Sequence, residues 1–214
     1  MIGPRSRAAA VLIVVFSLGA LAGIAYERHF SRRTSVGRSA AEVHEEAMAA
    51  LREDLEVSHR AVTHWMDILD RLYHVFRLRP FEGRRVRSLR RMPKAYLWDW
   101  SLVPDAAARF ENLVASHLLK FVHALQDVDG HDVSLFYLRD RAGHEVDFLV
   151  SFRGRPWFAV EAKLRETAID SSLRYFRERL RIPFLYQVVL ESRRDFVEDD
   201  IRCVPAADFL GSLA

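Results

Sequence analysis

Asp147, Glu161 and Lys163 are charged residues set inside two runs that otherwise read as buried strands, HEVDFLV (His144–Val150) and WFAVEAKL (Trp157–Leu164). Side chains alternate across a strand, so Glu161 and Lys163 share one face while Val160, Ala162 and Leu164 share the other. If the strands pair so that Phe148 and Val150 are buried with Val160 and Ala162, Asp147 joins the face of Glu161 and Lys163. Two carboxylates held close and partly dry repel and lose hydration, a conflict that a cation between them resolves. Mg²⁺ or Mn²⁺ prefers oxygen ligands, and Asp147, Glu161 and the backbone carbonyl of Ala162 could supply three. Lys163 would then orient an attacking water or offset charge developing on a phosphate. Glu111, on a helix upstream, could hold a second ion or a water.

A Glu-x-Lys face also suits a solvated edge strand, and spacing alone does not separate the two readings. Lysine occurs only at Lys94, Lys120 and Lys163, with arginine used elsewhere. A lysine two residues after Glu161 is therefore less casual than in a lysine-rich chain, and chemically it is a compact charge able to act on one water.

The elements that must hold these residues are legible as periodicity. PDAAARFENLVASHLLKFVHAL, from Pro104, places Phe110, Leu113, Val114, His117, Leu118 and Phe121 on one helical face and carries Glu111. Strands are expected over Val133–Leu138, Val146–Phe152 and Trp157–Leu164, with Gly143 and Gly154 in the connections. A helix over Ser171–Leu180, a strand FLYQVVLE and a closing helix near Ala206–Leu213 follow. The order α-β-β-β-α-β predicts an α/β sandwich, a sheet covered by helices.

Upstream, LREDLEVSHRAVTHWMDILDRLYHVFRL has the form of a helix-turn-helix: a helix to Leu55, a turn at Glu56-Val57, and a second helix capped by Ser58. Val62, Trp65, Met66, Leu69 and Leu72 would form its buried stripe, leaving His59, Arg60, Thr63 and His64 to touch phosphates or base edges of DNA. A winged-helix-like module used only for packing is an equal reading. FRLRPF, RRVRSLRR and KAYLWD would supply the following strands or wing.

Half of the residues are hydrophobic, which excludes global disorder, and a formal charge of +3 permits contact with DNA or an anionic membrane without requiring either. The lone Cys203 excludes an internal disulfide, and no Cys/His cluster has zinc-ligand spacing. The stretch Ala8–Tyr26 holds no charge and as a helix would about span a bilayer. A single-pass anchor, a signal peptide opened by Arg5 and Arg7, and a segment joined by gene truncation are the competing readings. As an anchor, with Arg28, Arg32, Arg33 and Arg38 following it, the segment would tether a cytoplasmic domain to the inner membrane. The expected organisation is a hydrophobic helix and linker over residues 1–40, a helix-turn-helix or winged-helix-like segment over 41–103, and a catalytic-type domain over 104–214.

Asp147, Glu161-Ala162-Lys163 and the helical Glu111 resemble the D…E-x-K signature of the PD-(D/E)xK nuclease superfamily, whose fold has the same strand and helix order. More specifically, EDLEVSHRAVTHWMDILDRLYHVFRLRPF, MPKAYLWDWSLV, RFENLVASHLLK, LFYLRDRAGHEVDFLV and FAVEAKL resemble the C-terminal region of prokaryotic AAA-type ATPases, domain-of-unknown-function family 4143. The resemblance runs from about Arg52 to the end. It implies a winged-helix-like start and a restriction-endonuclease-like core, and with the D…E-x-K residues it points to Mg²⁺-dependent cleavage of DNA. Family members carry a P-loop ATPase module, but no G-x-x-x-x-G-K-[ST] motif occurs here. The chain is therefore not expected to hydrolyse ATP itself. It reads as a truncated C-terminal part of such an ATPase or a membrane-tethered derivative, with a separate ATPase as a candidate partner. The rival expectation is a non-catalytic nucleic-acid or protein-binding module.

Overall fold

The computed structural model describes residues 59–82 and 93–213, which divide after Ile68 into two compact units. Helix α1 (His59–Arg71) begins in the first unit, with Arg60, Thr63 and His64 exposed and Trp65, Met66 and Leu69 half-buried. Leu72 does not join the expected apolar stripe. It lies past the last helical residue and is 59% exposed, because the chain has already left helical phase. Tyr73 takes a left-handed φ of 54°, and the amides of Tyr73 and His74 close back on the carbonyls of Asp70 and Leu69. The helix expected to precede Ser58, Ser58 itself, the RRVRSLRR run and the uncharged stretch 8–26 lie outside the described residues. Among the described residues, no helix is long and apolar enough to cross a membrane.

In the second unit, β1 (Val75–Pro80), β2 (Lys94–Leu97), β3 (Val133–Arg139), β4 (Glu145–Phe152), β5 (Arg155–Arg165), β6 (Phe184–Glu191), β7 (Phe196–Glu198) and β8 (Ile201–Pro205) form one sheet. Its order is β2-β1-β3-β4-β5-β6-β8-β7. The sheet is mixed: β3, β4 and β5 run antiparallel to one another, whereas β1 lies parallel to β3, and β6 parallel to both β5 and β8. Helices α2 (Ala106–Asp127), α3 (Ser171–Leu180) and α4 (Ala206–Gly211) cover it. FRLRPF and KAYL, expected as strands or a wing, become β1 and β2, an antiparallel pair attached to β3 through Arg79 and Pro80. Beyond the expected order lie β7 and β8. The latter is a short buried strand, IRCVP, with Ile201 and Cys203 fully enclosed.

Two layers of core hold the sheet. Phe148, Val150, Phe158 and Val160 pack with Phe110, Val114 and Leu118 of α2, and Ala162 lies against that cluster. Leu149 and Ala159 instead join Leu173 and Phe176 of α3. Phe148 stands opposite Val160 and Val150 opposite Phe158, the register that the alternation of apolar residues required. The hairpin between β4 and β5 closes on Arg153-Gly154, both left-handed at φ 51° and 70°. A two-residue turn of this kind matches the twist of its strands, and glycine meets the second position without strain. Asp105 and Asp170 start α2 and α3 by accepting from the amides of Ala108 and Ser172, each at 2.8 Å, which satisfies donors that a helix start leaves open.

Phe176 is fully buried whereas Leu72 is largely exposed. Phe176→Ala should lower stability by about 3–5 kcal/mol, and Leu72→Ala should change it by less than about 0.5 kcal/mol. Urea denaturation followed by circular dichroism checks both, and equal effects would contradict the assignment of the second core.

Candidate active site

The backbone ladder between β4 and β5 has its last pair at Phe148 and Val160. Beyond it, side chains take over the bonding. The amide of Ala162 donates to Asp147 Oδ2 at 3.1 Å, and the amide of Asp147 donates to Glu161 Oε2 at 3.2 Å. Each carboxylate thus accepts from the opposite strand, so the two are fixed as a pair where the strands begin to part.

Lys163 Nζ donates to Glu161 Oε1 at 2.7 Å and to Asp170 Oδ2 at 2.9 Å. Asp170 is also the N-cap of α3, and its own amide donates to Gln187 Oε1 at 2.9 Å. Gln187 is fully buried on β6 opposite Glu161, and its Nε2 donates to the carbonyls of Thr167 and Ala168. The loop from β5 to α3 is therefore tied to the sheet directly behind Lys163.

On its other side Asp147 faces Lys94. This ammonium, 1% exposed, lies 3.3 Å from Asp147 Oδ1, 3.3 Å from Glu111 Oε1 and 2.7 Å from Glu145 Oε1. Tyr96 donates to Glu111 Oε1 at 2.7 Å, Arg139 stands 3.3 Å from Glu145 Oε2, and the Tyr137 ring lies 5.4 Å from the ammonium. Asn112, beside Glu111 and almost fully buried, explains why helix and edge strand align here. Its side chain accepts from the Leu97 amide and donates to the Leu97 carbonyl, both at 2.8 Å.

Electrostatics follow from this crowding. Burial costs an ammonium several kcal/mol, but a carboxylate about 4 Å away returns about 4 kcal/mol at an effective dielectric of about 20. Three such neighbours outweigh burial, and Lys94 is held well above the usual lysine range, with Glu111 the strongest attraction. Burial and then the Asp147 charge push Glu111 up to about 7, against the pull of Lys94 and Tyr96. The same two causes raise Glu161 well above the usual carboxylate range, against Lys163. Asp170 goes the other way, because the Lys163 bond prevails over its burial. Among the described residues, five carboxyls (Glu111, Glu145, Asp147, Glu161, Asp170) meet three cationic side chains (Lys94, Arg139, Lys163). When all are ionised, two negative charges are in excess.

Asp147, Glu161, Ala162 and Lys163 thus come together, and Glu111 joins them through Lys94. Lys94, Tyr96, Asn112, Glu145, Asp170 and Gln187 were not foreseen as parts of this network. Two signals pointed toward them: the scarcity of lysine, and the i,i+2 spacing that puts Glu145 with Asp147 and Lys94 with Tyr96. Arg60, Thr63 and His64 are exposed on α1 in the other unit, and the side chain of His59 lies outside the described residues. Among the described residues, no group of three or more His, Cys, Asp or Glu side chains is placed to hold a metal ion.

Comparison with known proteins divides the chain. Residues 107–209 match the family described as Domain of unknown function (DUF4143), and residues 30–113 match a second, Domain of unknown function (DUF8612). The first family was expected from Arg52 onward. Its match begins at residue 107, and the helix and strands before that point fall within the second. No curated protein matches. Among solved structures, the chain is similar to a chain of the refined half-complex from a tetradecameric assembly of Thermococcus gammatolerans McrB AAA+ hexamers with bound McrC. The identity is 11% and the TM-score 0.32, over 47% of this chain and 27% of that one. The chain thus spans about a quarter of that neighbour's length.

A carboxyl whose folded pKa is raised binds a proton more tightly folded than unfolded. The stability it contributes is full below its unfolded pKa and is lost as pH rises through the folded value. For Glu111 that window runs from its ordinary value of 4.5 to about 7. Glu111→Gln should therefore reduce the fall in Tm between about pH 5 and about pH 8. An unchanged fall, measured by thermal unfolding across that range, would contradict the strain assigned to this carboxyl.

Proposed function

We propose that the region from residue 104 to 213 is a restriction-endonuclease-like domain that hydrolyses DNA phosphodiesters with Mg²⁺ or Mn²⁺. The observation that carries this reading is the reciprocal lock of Asp147 and Glu161, with Lys163 on the second carboxylate. The element order α2-β3-β4-β5-α3-β6 supports it. Asp147, Glu161 and the Ala162 carbonyl would hold the ion. Their donors are all oxygen, as a hard cation prefers, and each carboxylate oxygen has lone-pair capacity beyond its present partner.

When bound, the ion supplies Lewis-acid polarisation of a phosphoryl oxygen. Lys163, anchored by Glu161 and Asp170, has a third N–H for the attacking water or for charge developing on phosphate. Glu111 is auxiliary, set by Tyr96 and Lys94. Arg60, Thr63 and His64, with His59, would grip the DNA backbone from α1.

One observation favours a second reading, a non-catalytic nucleic-acid or protein-binding module. Both oxygens of Asp147 and of Glu161 have protein donors, so the cluster can persist as a structural network.

Purified protein should nick supercoiled plasmid in Mg²⁺ or Mn²⁺ and not in EDTA. Glu161→Gln should abolish nicking, and Lys163→Met should slow it by about 10²–10³-fold. Equal nicking by wild type and Glu161→Gln refutes the assignment; a wild type that binds DNA without cutting it supports the second reading.

A further inference from the structure

We propose that Lys94 is a built-in cation standing where a second divalent ion would otherwise sit, which limits this cluster to one metal ion. Lysine is almost never fully buried unless paired, and a lysine on an edge strand such as β2 can turn to solvent at little cost. Lys94 instead points inward, 1% exposed, to meet Glu111 of α2 and both Glu145 and Asp147 of β4. Its charge is tethered there on two sides. Asn112 clamps Leu97 of the same strand, and Tyr96, two residues along, donates to the same Glu111 oxygen.

Asp147 gives the arrangement its meaning. Its Oδ1 faces Lys94, while its Oδ2 is turned to the Ala162 amide beside Glu161. A carboxylate with one oxygen on a buried cation and the other turned toward a second carboxylate has the disposition of a ligand shared in a two-metal site, where the ions lie about 3.5–4 Å apart. Charge counting agrees. With Lys94 present and the described groups all ionised, the two excess negative charges match one divalent ion; without it three are in excess, and among the described residues Arg139 is the cation left beside Glu145. Glu111, expected from its position to serve a second ion, is thereby occupied by an ammonium.

The proposal rests on the metal reading of Asp147 and Glu161 for the number of ions in the wild type, but not for the effect of removing Lys94. The test counts Mn²⁺ bound per full chain, from the free-ion electron paramagnetic resonance signal, for wild type, Lys94→Met, Lys94→Gln and Lys94→Arg. Wild type and Lys94→Arg should bind the same number. Lys94→Met and Lys94→Gln should each bind one more ion, and their thermal stability should rise with Mn²⁺ more steeply than that of wild type. A gain in either neutral variant supports the proposal, and this includes a variant that folds only when Mn²⁺ is added. Equal counts in all four proteins overturn it, as does failure of both neutral variants to fold in saturating Mn²⁺. If the wild type binds no ion while a neutral variant binds one, the metal reading of Asp147 and Glu161 fails and the role of Lys94 stands.

Discussion

The Asp147 carboxylate is the junction on which the rest of the cluster depends. One oxygen is held by the Ala162 amide on β5, the other by the buried Lys94 ammonium from β2. Through the first contact it is locked to Glu161 and hence to Lys163, Asp170 and the start of α3. Through the second it is linked to Glu111 on α2 and Glu145 on its own strand. A single carboxylate thus connects the edge strand, the two central strands and the helices on both faces of the sheet. No apolar residue at position 147 could do so.

Such a cluster is a poor way to gain stability. Buried ion pairs often do no better than well-packed hydrophobic residues of similar volume, although removing one partner leaves a stranded charge and is costly. The surrounding sheet follows the opposite rule, with Phe148, Val150, Phe158 and Val160 packed under α2 and Leu149 and Ala159 under α3. The charges are concentrated where the ladder between β4 and β5 ends, next to a register shift in β3 at Tyr137, whose ring lies by Lys94. A sequence that obeys local packing rules throughout a sheet and breaks them at one end is the pattern expected of a functional site.

Much of the fold was legible because periodicity reports burial. The residues of α3 and β6 coincide with the expected SSLRYFRERL and FLYQVVLE, and the apolar alternation of β4 and β5 fixed their register. What escaped was governed by tertiary contacts. β7 and β8 are too short to show a period, and β8 exists because β6 offers it a parallel partner. Leu72 keeps helical spacing but falls after the helix has stopped. Of the candidate site, Asp147, Glu161 and Lys163 could be read from two adjacent strands, whereas the inward turn of Lys94 could not. It depends on Asn112 clamping Leu97 and on carboxylates arriving from 17 and 53 residues away.

Anomalous diffraction from a crystal grown with Mn²⁺ would locate any ion held by the Asp147–Glu161 pair. One peak is predicted roughly 2 Å from oxygens of Asp147 and Glu161, with the Ala162 carbonyl turned toward it and the Lys94 ammonium still among Glu111, Glu145 and Asp147. A map without a peak at that pair, or with manganese in the position of Lys94 and the lysine expelled, would contradict this arrangement.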